Sequence, residues 1–442
     1  MRWLKWRAAL VSFLTLVASA PAQRAEPTIC AEEFCRCDSF TAVICNCTSD
    51  YEVTLRPDGA YRVPSTASGI IINGCSRVNF LPDLARNLIQ LRTIELTNIM
   101  DVVINERALS WSPFSRESEM HPGLRILIQN STVNQLSSYA IQGRVNDIII
   151  TDSRIHNVRP YAFSSLTGVR NIELKNNVLY NIERYTFSKF TTINFLLKGG
   201  YVDRLPSRFL SDVEITNLFR VEGISVKHIS SVTFLVRSPK RVLVESNFIE
   251  NLDPDGFHVV TKGPITFRNN TVTNFSKGAL LGVTVDQEVM SVKGRQELLV
   301  DNNTITNIAP SSLIYNQTTL SLRVDGLNLN ITCNCELAEN WRQLLKEEAG
   351  IVTCWYDLEG HYMSVATFAD SRCGAFKQTF WIFVVVGLVV VLIAASLITY
   401  FVVRRENEKK KKVQIVMPDG KTYRETEFHI VVERAELLTT NL

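Results

Sequence analysis

The feature that most constrains this chain is a repeat of apolar residues every 22 to 24 positions. In its clearest copy, residues 169–187, the apolar positions first follow the two-residue period of a strand and then a wider spacing: Ile172, Leu174, Leu179, Ile182 and Phe187. A strand this short cannot cover its apolar side alone, because only another stacked copy supplies the opposing surface. The sequence therefore predicts a solenoid with one elongated core, in place of two or three ordinary domains.

The repeat keeps its register along most of the chain. With Leu174 as the reference position, equivalent apolar residues are Ile72, Leu96, Ile128, Ile150, Leu197, Val221, Val244, Phe267, Val300 and Val324. Further apolar columns follow five, eight and thirteen positions after the reference residue. Two steps are longer, at 32 and 33 residues, and each excess lies in a polar segment, 111–123 or 284–296. Loops absorb such insertions without disturbing the stacked columns, so both segments are predicted surface loops.

Two apolar segments predict secretion and a membrane anchor. Residues 1–22 have a basic start, a short apolar run and the small residues Ala-Pro-Ala, as in a cleaved signal peptide. Residues 380–403 carry no charge and would extend roughly 36 Å as a helix, enough to cross a hydrocarbon core of about 30 Å. Basic residues follow at once, which predicts a single-pass type I protein of the plasma membrane with an extracellular N-terminus.

Cysteines and glycosylation motifs both lie in the predicted extracellular part. Six of the ten cysteines precede residue 76 and the other four follow residue 332, which predicts a disulfide-closed cap at each end. Such caps would cover the apolar faces of the terminal repeats. Seven Asn-x-Ser/Thr sequons predict N-glycosylation at Asn46, Asn130, Asn269, Asn274, Asn302, Asn316 and Asn330. Residues 134–268 contain no sequon.

The most regular copy reads Ile172-x-Leu174-x-x-Asn177-x-Leu179-x-x-Ile182 and ends at Phe187. This motif resembles the repeat of extracellular leucine-rich-repeat proteins with a single transmembrane helix. The resemblance implies an α/β solenoid: a horseshoe of short parallel strands with an irregular convex side, two disulfide caps and one transmembrane helix. In that family the buried Asn bonds backbone groups between repeats, so Gly200 and Ile224 at this position predict irregular stacking.

The resemblance also fixes a domain order and a set of disulfides. The predicted order is a signal peptide (1–22), an N-terminal cysteine-rich cap (23–68), about eleven repeats, some irregular (69–332), a C-terminal cysteine-rich cap (333–373), a stalk (374–379), a transmembrane helix (380–403) and a cytoplasmic tail (404–442). The implied disulfides are Cys30–Cys37, Cys35–Cys45, Cys333–Cys354 and Cys335–Cys373, and Cys47 with Cys75 would form an extra bridge. A parallel β-helix is the alternative architecture, because its coils have a similar length and also stack apolar and Asn columns.

One outward column is a candidate binding face. Side chains alternate along a strand, so the residue before each reference position should point to the exposed, concave side. Several of these residues are large and apolar, and they fall in the sequon-free span. We therefore predict a partner-binding face formed by three apolar residues, Ile149, Leu196 and Leu243, and rimmed by the charged residues Glu173, Lys198, Arg220 and Glu245. The alternative is an ordinary strand surface, since single exposed leucines are common.

The predicted tail carries two short motifs. Thr440-Asn441-Leu442 fits the C-terminal pattern that PDZ domains capture by adding a strand and burying the last side chain. Glu433 with Leu437 and Leu438 resembles an acidic dileucine sorting signal. A PDZ-domain protein is therefore a predicted intracellular partner.

The sequence contains no enzyme, cofactor or metal-site motif, and a net charge of +3 without a basic patch predicts no nucleic-acid binding. The predicted function is a cell-surface glycoprotein, not an enzyme, that binds an extracellular protein, another surface protein or a second copy, in adhesion, guidance or receptor assembly. One alternative is a β-helix enzyme acting on glycans, with Asp253 and Asp255 as its nearest carboxylate pair. A structural component of the matrix or of the apical surface is the other.

Overall fold

The computed structural model describes residues 27–38, 41–48, 50–111, 123–308, 312–339, 341 and 351–411. The predicted signal peptide, the PDZ-type terminus and the dileucine motif lie outside these residues, as does most of the first polar insertion. The chain divides into two compact units, one up to Phe368 and one from Ala369. Each unit is described by itself.

The first unit is a parallel β-solenoid of about 12 turns. Successive turns pair strand to strand in three columns, which we call sheets A, B and C in the order in which they follow each reference residue. Strands of sheet A alone are Ala42–Asn46, Gly69–Asn73, Thr93–Thr97, Leu124–Gln129, Arg241–Glu245 and Ile265–Arg268. Strands of sheet B alone are Glu52–Leu55, Arg77–Phe80, Asp101–Ile104, Thr132–Leu136, Arg154–Val158, Ser225–Ile229, Phe248–Leu252, Thr271–Phe275 and Val352–Tyr356. Strands of sheet C alone are Leu109–Ser110, Phe163–Thr167, Phe234–Arg237, Phe257–Thr261 and Val283–Val285.

The remaining elements turn corners or close the ends. Six long strands continue from one sheet into the next: Ile141–Thr151, Val169–Ile182, Phe187–Leu205, Leu210–Glu222, Gln296–Ile308 and Leu320–Thr332. Cys35–Cys37 and His361–Ser364 each form an antiparallel pair at an end of the solenoid. The helical segments of this unit are the 3-10 turns Ile29–Ala31 and Leu84–Asn87 and the α-helices Gln287–Lys293 and Val365–Phe368, and residues 335–339 are also helical.

The predicted apolar columns form the core. All eleven reference residues are at most 8 % exposed, and so are the nine residues thirteen positions further on. The second column is largely aromatic in the middle of the chain, where Phe163 and Phe187 stack with ring centroids 4.5 Å apart and Phe209 meets Phe187 edge-on. Edge-to-face and offset-stacked pairs stabilise beyond the area they bury.

The parallel solenoid of short strands is confirmed, but its return side is more regular than predicted. The segment five to eight positions after each reference residue forms sheet B, and the segment about thirteen to seventeen positions after eight of the eleven reference residues forms sheet C, where an irregular convex side was expected. Their alternating buried and exposed residues, rich in Val, Ile, Thr and Phe, are typical of strands. Sheets on three sides are shared with the β-helix alternative, while the end disulfides are those implied for leucine-rich repeats.

Eleven turns have a residue in the left-handed backbone region at the A–B corner. These residues lie two positions after the reference residue: Gly74, Asn98, Asn130, Asp152, Asn176, Gly199, Gly223, Ser246, Asn269, Asn302 and Gly326. Glycine, Asn and Asp are the residues that tolerate this conformation best. The corner therefore explains why these types recur there, and it places three of the sequons at equivalent corners.

The next position holds the buried Asn column of the leucine-rich-repeat motif. Asn270 Nδ2 donates to the Val244 carbonyl at 2.8 Å, while its Oδ1 accepts from the backbone N–H of Asn247 at 3.1 Å. Ser131 and Ser153 take over the accepting role in two other turns: Ser153 Oγ accepts from Ser131 N–H at 3.1 Å. The column thus satisfies backbone groups that the corner would otherwise leave unpaired.

The turns without a polar residue in this column still stack in register. Gly200 pairs with Asn177 inside a continuous strand, and a Cβ atom there would lie 2.0 Å from the Asn177 carbonyl oxygen. Ile224 is buried, and its N–H donates to Asn247 Oδ1 at 3.0 Å. The predicted irregular stacking at these two positions is therefore wrong. At Ile224 the next turn supplies the hydrogen-bond acceptor, Asn247 Oδ1. At Gly200 the absence of a side chain allows the backbones of the two turns to approach closely.

Disulfides close both ends of the solenoid. The structure joins Cys30 to Cys37, Cys35 to Cys45 and Cys333 to Cys354, as the resemblance implies, and it also forms the predicted extra bridge from Cys47 to Cys75. Cys335 and Cys373 are also disulfide-bonded.

The second unit is mainly one long helix. A short π-helix, Ala369–Cys373, leads into the α-helix Gly374–Lys411, which includes the segments predicted as stalk and transmembrane helix. By length and composition, residues 380–409 could cross a membrane, and none of that apolar surface is buried within the protein. One such helix fits a single-pass membrane protein whose disulfide-bonded part is extracellular.

Candidate partner-binding face

Sheet A brings the predicted binding residues into one surface. Ile149, Glu173, Leu196, Arg220 and Leu243 are register partners on five successive strands, so they form one row along the solenoid. Each is half-buried, while the residues on either side of it in the strand point into the core. Because neighbouring strands are about 4.8 Å apart, Leu196 lies roughly 10 Å from Ile149 on one side and from Leu243 on the other.

A second outward row contains charged residues, and it includes Lys198 and Glu245. The carboxylate of Glu222 lies 3.0 Å from Arg220 Nε and 3.2 Å from Lys198 Nζ. Arg220 Nη2 is also 3.2 Å from Glu245. Lys198, Glu222, Arg220 and Glu245 thus form one connected set of ion pairs, whose side chains are between 17 % and 48 % exposed.

The sequence reasoning missed two members of this surface. Lys175 pairs with Glu173, and Glu222 pairs with both Lys198 and Arg220. Both lie one position after a reference residue, like Lys198 and Glu245, so the same alternation identifies them. We call the surface formed by the row from Ile149 to Leu243 and by this flanking row, Lys175, Lys198, Glu222 and Glu245, the A face.

Apolar and charged residues alternate along the A face. Glu173 stands between Ile149 and Leu196, and Arg220 stands between Leu196 and Leu243. The predicted apolar patch is therefore interrupted by opposite charges at every second turn. The charged residues keep this surface compatible with water when no partner is bound, while the three apolar residues can still contact a partner.

The sequons flank the A face. Asn130, Asn269 and Asn302 are exposed at the A–B corner, where Asn130 Nδ2 donates to Asn98 Oδ1 at 2.7 Å and Asn302 Nδ2 to Asn269 Oδ1 at 2.9 Å. The corners of the five turns that carry the A face have no sequon.

The other sequons lie away from these five turns. Asn274 and Asn330 lie in sheet B, Asn46 ends the first strand of sheet A, and Asn316 Oδ1 accepts from the backbone of its own loop. Their glycosylation stays a prediction.

The carboxylates considered for glycan chemistry each pair with a histidine. Asp253 Oδ2 lies 2.9 Å from His228 Nε2, and Asp255 Oδ2 lies 3.0 Å from His258 Nδ1. Asp255 is the left-handed corner residue of its turn. Within the residues described, no group of three or more His, Cys, Asp or Glu side chains is arranged to hold a metal ion.

Lys227 and Asp203 form an ion pair on the outer surface of sheet B, and this pair shifts the pKa of both groups. Lys227 Nζ donates to Asp203 Oδ1 at 2.9 Å, and this hydrogen bond lowers the pKa of Asp203. The same bond, with help from Tyr201, raises the pKa of Lys227. The pair therefore stays charged over the physiological range.

Comparison with known proteins adds little to this picture. No family model matches the chain, and a search of curated proteins finds no match. A search of solved structures finds a chain from the structure described as the Toll–Spatzle complex, a molecular hub in Drosophila development and innate immunity. The two chains are 10 % identical over 76 % of this chain and 72 % of that one, with a TM-score of 0.19. A TM-score this low does not show that the two chains share a fold. The strand pairing described above defines the fold of this chain.

Proposed function

We propose that this chain is a cell-surface glycoprotein of the leucine-rich-repeat type that binds another protein through the A face. The observation that carries the proposal is the A face itself: three apolar anchors in one row, with ion-paired residues between them and in the flanking row, on five turns whose corners lack sequons. Protein interfaces combine a central apolar contact with a polar rim in this way. The disulfides and the apolar helix fit a type I protein of the plasma membrane.

Several finer features belong to the same proposal. Residues 1–22 would be removed as a signal peptide, and glycans at the corners of the flanking turns would leave the A face open. A PDZ-domain protein would bind Thr440 and Leu442, and Glu433, Leu437 and Leu438 would direct sorting. No catalytic step is assigned to the chain. A purely structural role predicts that no protein depends on the A face for its contact.

Replacing Ile149, Leu196 and Leu243 together with Asp should abolish partner binding without loss of secretion. Each substitution removes an apolar anchor and places a charge where the partner would exclude water. Full-length wild-type and variant chains, each carrying an extracellular proximity-labelling enzyme, are compared on living cells at equal surface level. We expect the variant to lose at least tenfold in the labelling of the surface proteins enriched by the wild type.

A matched control uses the same chemistry on another sheet. Leu235 and Val260 are half-buried and outward-facing on sheet C, and their replacement with Asp should leave the labelled set unchanged. If the A-face variant keeps every wild-type neighbour, or if the sheet C variant loses the same neighbours, the A face is not the binding surface.

A further inference from the structure

The A face is self-complementary about its central turn. Leu196 lies in the middle of the five-turn row, with Glu173 one turn before it and Arg220 one turn after it. Ile149 and Leu243 occupy the positions two turns away on either side. If the order of the turns is reversed, Glu173 and Arg220 therefore exchange places, and so do Ile149 and Leu243.

The flanking row repeats this antisymmetry. Lys175 precedes the central turn and Glu222 follows it, with Lys198 between them. Reversal again places opposite charges face to face. In both rows, opposite charges therefore meet when the order is reversed about the same central turn. An arbitrary strand surface is not expected to show this in two rows at once.

We propose that the partner of the A face is a second copy of this chain, docked face to face about a twofold axis that runs parallel to the strands through Leu196. The proposal rests on the function proposed above and names its partner. Rotation about such an axis keeps each row opposite itself and reverses the order of turns, so the interface is isologous. Leu196 then meets Leu196, and Ile149 meets Leu243.

The charged contacts follow from the same operation. Glu173 of each copy meets Arg220 of the other, and Lys175 meets Glu222, which gives four interchain charge pairs per dimer. Two charged residues of the flanking row meet no opposite charge. Lys198 meets its own equivalent, and its charge is balanced within each copy by Glu222 at 3.2 Å. Glu245 meets Thr151, and its charge is balanced within each copy by Arg220 at 3.2 Å.

The size of the face predicts a weak contact. Five strands about 4.8 Å apart and five residues of about 3.3 Å each cover on the order of 400 Å² per copy. Stable complexes bury about 800 Å² per partner, so the contact belongs to the transient class. Anchoring in a membrane raises the effective concentration of such partners, which makes a weak self-contact useful at a cell surface.

Charge reversal in separate copies tests the twofold arrangement. Full-length chains are purified in detergent micelles, and capture of a fluorescent copy by an immobilised copy is measured at low ionic strength. Glu173→Arg alone and Arg220→Glu alone should each weaken self-capture about tenfold or more, because like charges then meet twice in each dimer. A Glu173→Arg copy should capture an Arg220→Glu copy almost as well as wild type captures wild type, because both contacts regain opposite charges.

Two further variants separate charge pairing from general damage. Arg323 lies in the same outward row, four turns after Arg220, and pairs with Glu297 and Asp325, so Arg323→Glu should leave self-capture unchanged. Lys198→Gln should strengthen self-capture, because it removes the one like-charge contact at the axis. Both variants conserve the strand and its buried neighbours.

The outcomes distinguish this inference from the function on which it rests. If wild type does not self-capture, or if the two reversed copies fail to recover binding together, a second copy is not the partner. The proposed function then stands as long as the triple Asp variant still loses its labelled neighbours. If neither charge reversal nor the triple Asp substitution has any effect, both proposals fail.

Discussion

Phe187→Ala should lower the free energy of unfolding of the solenoid by about 3 to 5 kcal/mol, the usual effect of truncating a buried phenylalanine. The Phe187 ring is 2 % exposed and contacts aromatic rings from three turns. It stacks on Phe163 at 4.5 Å, and it meets Phe195 at 5.8 Å and Phe209 at 5.4 Å edge-on. Truncation removes all of these contacts at once and leaves a cavity that neighbouring turns, fixed by their own hydrogen bonds, cannot close.

Urea denaturation of the full chain in detergent micelles, followed by far-UV circular dichroism, measures this effect. Ile193→Ala is the control, because Ile193 lies in a neighbouring turn and is 43 % exposed. Its midpoint should differ little from that of wild type. An unchanged midpoint for Phe187→Ala would mean that the column thirteen positions after the reference residue is not the core.

Asn270→Ala should destabilise the solenoid by about 2 to 6 kcal/mol, from roughly 1 to 3 kcal/mol for each of two buried backbone groups left without a partner. Those groups are the Val244 carbonyl and the Asn247 N–H, which the Asn270 side chain bonds at 2.8 and 3.1 Å. The loss should be larger than for a surface amide because the Asn270 side chain and its two backbone partners are buried. Asn270 is 3 % exposed.

Asn181→Ala provides the comparison for this second variant. Asn181 Nδ2 donates to Asn157 Oδ1 at 3.2 Å on the exposed surface of sheet B, where water can replace the bond. The same urea titration should show a shift for Asn270→Ala and almost none for Asn181→Ala. Equal shifts would contradict a structural role for the buried Asn column.

The periodic residues predict the core well because each buried column repeats a physical requirement. Leu174 and the residues equivalent to it in ten other turns are buried, and so are Phe187 and its eight equivalents, since stacked turns cover their apolar side chains. The predicted end disulfides follow the same logic, because terminal turns lack a neighbour.

The return path could not be predicted from one repeat. The segment around Phe163 and Phe187 forms sheet C only through pairing with the turns before and after it, and a spacing of apolar residues does not reveal that pairing. The irregular stacking predicted at Ile224 is wrong for a related reason, because the acceptor for its N–H comes from Asn247 in the next turn. Interactions between turns decide both cases.

The candidate face was only partly predictable. Alternation along the strand identifies Leu196 as outward-facing, but the ion pairs that join Glu222 to Lys198 and Arg220 depend on the register between strands. The self-complementarity of the A face is a property of that register. It emerges only when residues from five turns are placed side by side.

On sheet A, residues 22 to 24 positions apart in the sequence become neighbours, and cysteine cross-linking tests this pairing most directly. The Cα atoms of register partners such as Glu173 and Leu196 lie within the range that a disulfide spans. A chain carrying Glu173→Cys and Leu196→Cys should oxidise to a new disulfide, seen on non-reducing gels after proteolysis between the two sites. Glu173→Cys with Lys198→Cys, offset by two residues along the strand, should cross-link far less. Preferential cross-linking of the offset pair, or of neither pair, would contradict the register on which the A face depends.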